Sequence, residues 1–155
     1  MNEQVKRIFL GDFGEILLTW HLRSKFGINV SLVKSKGIDL LCRDEKGVVF
    51  PRGKLIAISV KTRERNRNGI RSSVNEKWDK IEEASKKWKA IPYFAYVRIA
   101  PENGLVTIFL LSVSKARHYK TNSGFSVAKT EKEPSNALFE MKFNSYPRLR
   151  DWEKS

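Results

Sequence analysis

Gly37-Ile38-Asp39-Leu40-Leu41-Cys42 and, one turn later, Leu55-Ile56-Ala57-Ile58-Ser59-Val60-Lys61-Thr62-Arg63 are the runs whose reading decides the fold. Each is a short apolar stretch bounded by turn residues, which is how a strand in the interior of a sheet reads. Asp39 interrupts the first run, and Lys61 closes the second and leads into further basic residues. A carboxylate and an ammonium set in otherwise buried strands must be paired, hydrated or metal-bound. Taken from the residues alone, the two form either a partly buried ion pair or one half of a chemical site.

Working outward, Val5, Ile8, Phe9, Phe13, Ile16 and Trp20 recur at helical spacing and predict a first helix over residues 3–26, with these six as its apolar stripe. Gly11 and Gly14 interrupt it, each at a cost of about 1 kcal/mol relative to Ala, a cost more easily borne where the backbone approaches something closely. Glu15 falls at the edge of the stripe, where it can lie along a sheet or remain a solvated flank charge. Phe26-Gly27 closes the helix. Asn29 to Lys34 and Gly37 to Arg43 read as strands, Asp44 to Gly47 as a turn, Val48 to Phe50 as an extension of the hairpin, and Leu55 to Lys61 as a central strand.

Residues 64–72 lack periodicity and read as a mobile loop. Ser73 and Glu76 form the Ser-x-x-Glu pattern of a capping box, ahead of a helix with Val74, Trp78, Ile81 and Trp88 on one face and Pro92 as its stop. Tyr93 to Ile99 and Leu105 to Ser112 read as a hairpin across Pro101 to Gly104, Ser114 to Tyr119 as a short helix, and Ala137 to Phe143 as an edge strand. The sum is one α/β domain over residues 1–155, with a central mixed β-sheet flanked by helices and residues 121–155 as a peripheral part.

Bulk properties narrow the function. Thirty Lys and Arg stand against seventeen Asp and Glu, a net charge of +13 in 155 residues. The excess is clustered at Lys61, Arg63, Arg65, Arg67 and Arg71, which face only Glu64, so a polyanion is the natural partner. No apolar run approaches the roughly 20 residues that span a bilayer, no basic amphipathic helix suits a membrane surface, and Met1 to Arg7 lack the order of a signal peptide. The expectation is a cytoplasmic protein that meets no membrane. Cys42 has no second cysteine to pair with.

Phosphodiester hydrolysis needs a metal-held water, neutralisation at the phosphate and a cation near the nucleophile. Carboxylates supply the first through Mg²⁺, a hard ion that prefers oxygen, and a lysine supplies the last. At this point the chain resembles a family. Gly11-Asp12-Phe13-Gly14-Glu15, Gly37-Ile38-Asp39 and Ser59-Val60-Lys61 are similar to the motifs of the PD-(D/E)XK nucleases, over about residues 8–113, and to their small Holliday-junction-resolvase-like members in particular.

That resemblance implies the restriction-endonuclease-like fold with its α-β-β-β-α-β core, a Mg²⁺ (or Mn²⁺) cofactor, and DNA as substrate. It implies Asp39 as the metal-binding aspartate, Lys61 as the lysine that positions or polarises the attacking water, and Glu15 as the helix-borne glutamate of resolvase-like members. Ile38 stands where the family name has Pro. Ser59 stands where the family carries an acid, which leaves the metal one ligand short. One subgroup with Ser-x-Lys takes the glutamate from the next helix, for which Glu76 is the candidate against its capping role. Alternatively Glu15, Asp39 and the Val60 carbonyl suffice with waters, and Glu64 is a further candidate. Arg63, Arg65, Arg67 and Arg71 are the expected phosphate contacts.

Other chemistries find less support. His21 and His118 lack partners at zinc spacing, Cys42 has no evident catalytic histidine, and there is no Gly-rich phosphate loop. Trp78 and Trp88 sit at core spacing; Tyr146 and Trp152, among Arg148 and Arg150, suit base stacking or a docked tail equally. The expected function is a metal-dependent endonuclease acting on DNA as a homodimer. Its rivals are a catalytically weak or inactive nuclease-fold DNA-binding protein and an interaction protein whose basic face meets an acidic partner.

Overall fold

The computed structural model describes residues 2–64, 73–74, 78–101, 104–121, 124–126 and 137–142. The first element is a 24-residue helix, α1 (Glu3–Phe26), capped by the Asn2 side chain on the Gln4 amide and ended by Gly27 in the left-handed region. Strands β1 (Asn29–Ser35), β2 (Ile38–Arg43) and β3 (Leu55–Glu64) follow, then the two-residue β4 (Ser73–Val74), helix α2 (Trp78–Lys87), and strands β5 (Ile91–Ala100) and β6 (Leu105–Ser112). A short helix, α3 (Val113–Ala116), runs into a 3-10 turn, and β7 (Lys120–Thr121), β8 (Gly124–Ser126) and β9 (Ala137–Lys142) complete the order.

Six strands form one mixed sheet in the order β1-β2-β3-β5-β6-β9. Every neighbour pair is antiparallel except β3–β5, whose register runs parallel from Ile56↔Ile91 to Glu64↔Ile99. Parallel neighbours need a crossover, and the segment between them contains α2. The α-β-β-β-α-β order expected from the motifs is therefore the one observed, and β9 is the expected edge strand. A second, three-stranded sheet is built from β4, β8 and β7.

Strand alternation sorts the core onto the two faces. Ile56, Ile58 and Val60 of β3 and Ala95, Val97 and Ile99 of β5 pack with Leu17, Leu18 and Leu22 of α1. On the other face Phe94 and Tyr96 pack with Trp78 and Ile81 of α2, and Ala57 with Ala84.

The largest departure from expectation is in α1. Val5, Ile8, Phe9, Phe13, Ile16 and Trp20 all face water, at 39–62% exposure, while Gly14, Leu17, Leu18, Thr19, His21 and Leu22 are buried. The helix carries two apolar faces, and periodicity cannot say which one the sheet takes. Gly14 decides it. A Cβ there would overlap Thr62 Oγ1 and come within 3.3 Å of Val97 Cγ2, so β3 fills the space that the missing side chain leaves. Gly11 has nothing within 4 Å of such a Cβ, so only one of the two glycines serves a close approach.

Other departures are local. Residues 48–50 are not a strand, because Asp44 captures the amides a strand would use: its carboxylate accepts from Lys46, Gly47, Val49 and Phe50 at 2.7–3.1 Å. Burial pushes the Asp44 carboxyl up, but these donors together hold it below its usual value. Ser73 lies in β4, paired with Ser126, so it does not cap α2, which begins at Trp78. Pro92 sits inside β5; the helix has already ended at Lys87, with Lys89 in the left-handed region beyond it.

The contact between Gly14 and Thr62 makes a direct prediction. Gly14→Ala should destabilise the protein by about 1–3 kcal/mol through overpacking, and Gly11→Ala should stabilise it by about 0.5–1 kcal/mol. Urea unfolding of both variants, with Thr62→Ala and the Gly14→Ala/Thr62→Ala double variant, measures the coupling. The double variant should lose less than the sum of the singles.

Candidate active site

The β2–β3 ladder is registered from Arg43↔Leu55 to Leu40↔Ile58. One residue beyond that last pair stands Asp39, and its Oδ2 accepts the Val60 N–H at 2.7 Å. A side-chain carboxylate thus takes an amide that a continued ladder would have used, and the strands part at this point. The opposite edge of β2 is irregular too, since β1 shifts register between Leu32 and Ser35 and Lys34 adopts φ 41. Gly37, at φ 90, makes the turn, with the Lys80 carbonyl 3.1 Å from where its Cβ would be.

Glu15 of α1 stands within the field of Asp39 at this fork. The residue follows Gly14, so the close seat of α1 on Thr62 sets how far the carboxylate reaches. Glu15 Oε2 is buried and has no hydrogen-bond partner among the described residues. Burial raises the Glu15 carboxyl above its ordinary value, the charge of Asp39 raises it further, and Lys34 opposes both. Burial raises Asp39 as well, opposed by the Val60 amide, Lys61 and Lys34. Two partly buried carboxylates therefore share one field, with Lys61 and Lys34 as the nearby cations.

Lys61 stands on β3. Leu55 and Ala57 pack on the α2 side and Ile56, Ile58 and Val60 on the α1 side, so alternation places Ser59, Lys61 and Arg63 on the α2 side. Ser59 and Lys61 are each partly buried, and Arg63 is exposed, with its guanidinium donating to the Thr62 carbonyl at 2.9 Å. Glu64, the weaker ligand candidate, is held by Lys6 at 2.7 Å. Arg65, Arg67, Arg71 and Glu76, together with Tyr146 and Trp152, lie outside the described residues.

Two participants escaped the sequence reading. Lys34 Nζ meets Asp12 Oδ1 at 3.2 Å, and its charge acts on both Glu15 and Asp39. The i, i+3 spacing of Asp12 and Glu15 on one helix is a legible signal for Asp12. For Lys34 there was none, because its position depends on the irregularity in β1.

Residues weighed for other chemistries lie elsewhere. His21 is buried beside the Phe26 and Phe139 rings, and burial pushes its pKa down. Cys42 is buried, with its thiol pushed up to about 12, where little reactive thiolate exists. Trp78 packs edge-on against Phe94, as core spacing suggested, whereas Trp88 is exposed.

Glu15 and Asp39 are oxygen donors of the kind a hard cation takes. Among the described residues there is no group of three or more His, Cys, Asp or Glu that could hold a metal ion. Mg²⁺ is content with one or two carboxylates and retained waters, so Glu15, whose buried Oε2 has no hydrogen-bond partner among the described residues, and Asp39 are the residues that could hold one. No helix among the described residues is long and apolar enough to cross a membrane.

No family model matches the chain, and no curated protein matches it by sequence. Among solved structures, the chain is similar to Archaeoglobus fulgidus Hjc, a Holliday junction resolvase from an archaeal hyperthermophile. The likeness covers 86% of this chain and 91% of that one, at a TM-score of 0.47 and 14% identity. At that level it carries no argument about the site.

The carboxylate pair has a pH signature. Each folded-state pKa is raised, so the associated stability is full below the ordinary carboxylate value of about 4 and is lost as pH rises through the raised value. In EDTA, Glu15→Gln should raise Tm at pH 8. Near pH 3.5 it should leave Tm close to unchanged. A fall in Tm at pH 8 would refute mutual repulsion between the two.

Proposed function

We propose that this protein is a metal-dependent DNA endonuclease of the PD-(D/E)XK kind. The observation that carries the reading is the fork at Asp39, where a second carboxylate from α1 shares the field of the first and Lys61 stands on the adjoining strand. Glu15 and Asp39 are the residues that would hold Mg²⁺ (or Mn²⁺), with Glu76 as a further candidate ligand. Such an ion supplies charge neutralisation at the phosphate and an acidified water.

The remaining work falls to the chain. The Val60 amide fixes the Asp39 carboxylate in one orientation. Lys61, at the partly buried end of β3, offers a positive charge for a phosphate oxygen or the attacking water. Ser59 is a neutral donor and acceptor on the face of Lys61 and adds no negative charge. Arg63, with Arg65, Arg67 and Arg71 in the chain beyond it, provides backbone contacts that position a duplex without reading its sequence. One such site cuts one strand, so the active form is a pair of chains.

Ser59 favours a second reading, a nuclease-fold protein that holds DNA and cuts it weakly or not at all, since the acid usual at that position is missing. One experiment separates the two. Linear, supercoiled and branched DNA are incubated with Mg²⁺ or Mn²⁺ and the unmutated, Asp39→Ala, Lys61→Ala and Arg63→Ala proteins. Cleavage should fall by ~100-fold or more for Asp39→Ala and Lys61→Ala. Arg63→Ala should mainly weaken binding and reduce the log-log salt slope by about 0.9 per phosphate lost. Binding without cleavage by the unmutated protein supports the second reading, and cleavage that survives both site variants defeats the first.

A further inference from the structure

The face of α1 turned away from the sheet remains without a role in either reading. Val5, Ile8, Phe9, Phe13, Ile16 and Trp20 line it, all exposed. Their spacing keeps them on one side of the helix, along about 22 Å of its axis at 1.5 Å per residue. Between Val5 and Trp20 this stripe carries one charge, Asp12, which is already paired with Lys34. Scattered surface apolar residues need no explanation, but a contiguous stripe of this size does.

We propose that this face is where a second copy of the chain docks, with the two α1 helices packed antiparallel across a two-fold axis. The surface is read from α1 alone, so it gives the paired chains proposed above an interface while standing whether or not the site cuts DNA.

Two properties of the stripe favour a copy of itself. The first is size. The six side chains leave on the order of 600 Å² of apolar surface in water, close to the roughly 800 Å² that each partner buries in a standard-size stable interface. Polar residues flanking the stripe make up the difference, as an interface rim does.

The second property is its fit to its own reversal. A two-fold interface brings the same patch against itself, so residue i meets j while j meets i. With the axis passing between Asp12 and Phe13, antiparallel packing sets Val5 against Trp20 and Phe9 against Ile16. The smallest apolar side chain of the stripe meets the largest, and a ring meets a branched aliphatic, with Phe13 beside the axis. Trp20 near each end is the type of anchor that dominates interface energetics. The arrangement also has a consequence for the site: Glu15 follows Phe13 by two residues, so both carboxylate forks flank the common axis on opposite chains.

The test uses the full chain. Sedimentation equilibrium should give twice the 17.9 kDa chain mass, and Ile16→Glu and Phe9→Glu should each weaken the dimer by ~100-fold or more. Because these side chains are exposed in the single chain, both variants should keep its circular dichroism and melt as a folded monomer. Phe13→Cys tests the geometry: the chain's own Cys42 is buried, so mild oxidation should give a disulfide-linked dimer through position 13. Val48→Cys, at an exposed turn off the stripe, should link at only a background rate.

A monomeric unmutated protein overturns the proposal, as it would if another segment of the chain or a different molecule covered the stripe. So does a dimer indifferent to Ile16→Glu and Phe9→Glu, or cross-linking of Phe13→Cys no faster than that of Val48→Cys. Absence of cleavage with an intact, stripe-dependent dimer would count against the nuclease reading only.

Discussion

The hydrogen bond from the Val60 amide to Asp39 Oδ2 is the constraint on which the site depends. An amide at a parting of two strands must find an acceptor or lose something like 1–3 kcal/mol when buried. Here the acceptor is a carboxylate, and the exchange settles several matters together. It ends the ladder at Leu40↔Ile58. It also orients Asp39 at the parting of β2 and β3. The bond favours the charged form of Asp39 against its burial, so a carboxylate persists where solvation alone would have selected the neutral acid.

How closely α1 approaches β3 is governed by Gly14. Any side chain at that position would push α1 away from Thr62 and draw Glu15 back with it. A helix-interior glycine costs about 1 kcal/mol, and burial raises the Glu15 carboxyl above its ordinary value, with one oxygen left without a partner among the described residues. Binding sites commonly hold such unrelieved electrostatic strain, whereas the apolar layers around them supply the stability. Here those layers are the Leu17–Leu18–Leu22 side of α1 and the β5 strand, buried on both faces from Phe94 to Ala100.

This division explains what could be read in the chain beforehand. Elements whose own residues decide them were legible: β5 and β6 with their turn at Gly104, β2 and β3, the end of α1 at Gly27, and the placement of Asp39 and Lys61 on neighbouring strands. Elements decided by a partner were not. The stripe of α1 has sound helical periodicity, but its orientation was set by the absence of a side chain at Gly14. Ser73 carries a capping pattern, yet pairing with Ser126 draws it into a strand. Val48 to Phe50 have strand composition, yet the Asp44 carboxylate takes two of their amides. Lys34 entered the site through an irregular register that no local pattern announces. In each case a tertiary contact overrode a correct local preference.

The serine in place of an acid at position 59 looks different once the neighbouring charges are counted. Asp12, Glu15 and Asp39 are already answered by Lys34 and Lys61, and both Glu15 and Asp39 have raised pKa values in that company. A third carboxylate on the face of Lys61 would compete with Asp39 for the lysine that now moderates its burial. It would also add repulsion to the Glu15–Asp39 pair, whose nearby cations are Lys34 and Lys61. With a neutral Ser59, the two interacting carboxylates come from α1 and β2, and Lys61 is left to Asp39. The close approach of α1 at Gly14 is what brings the first of them there.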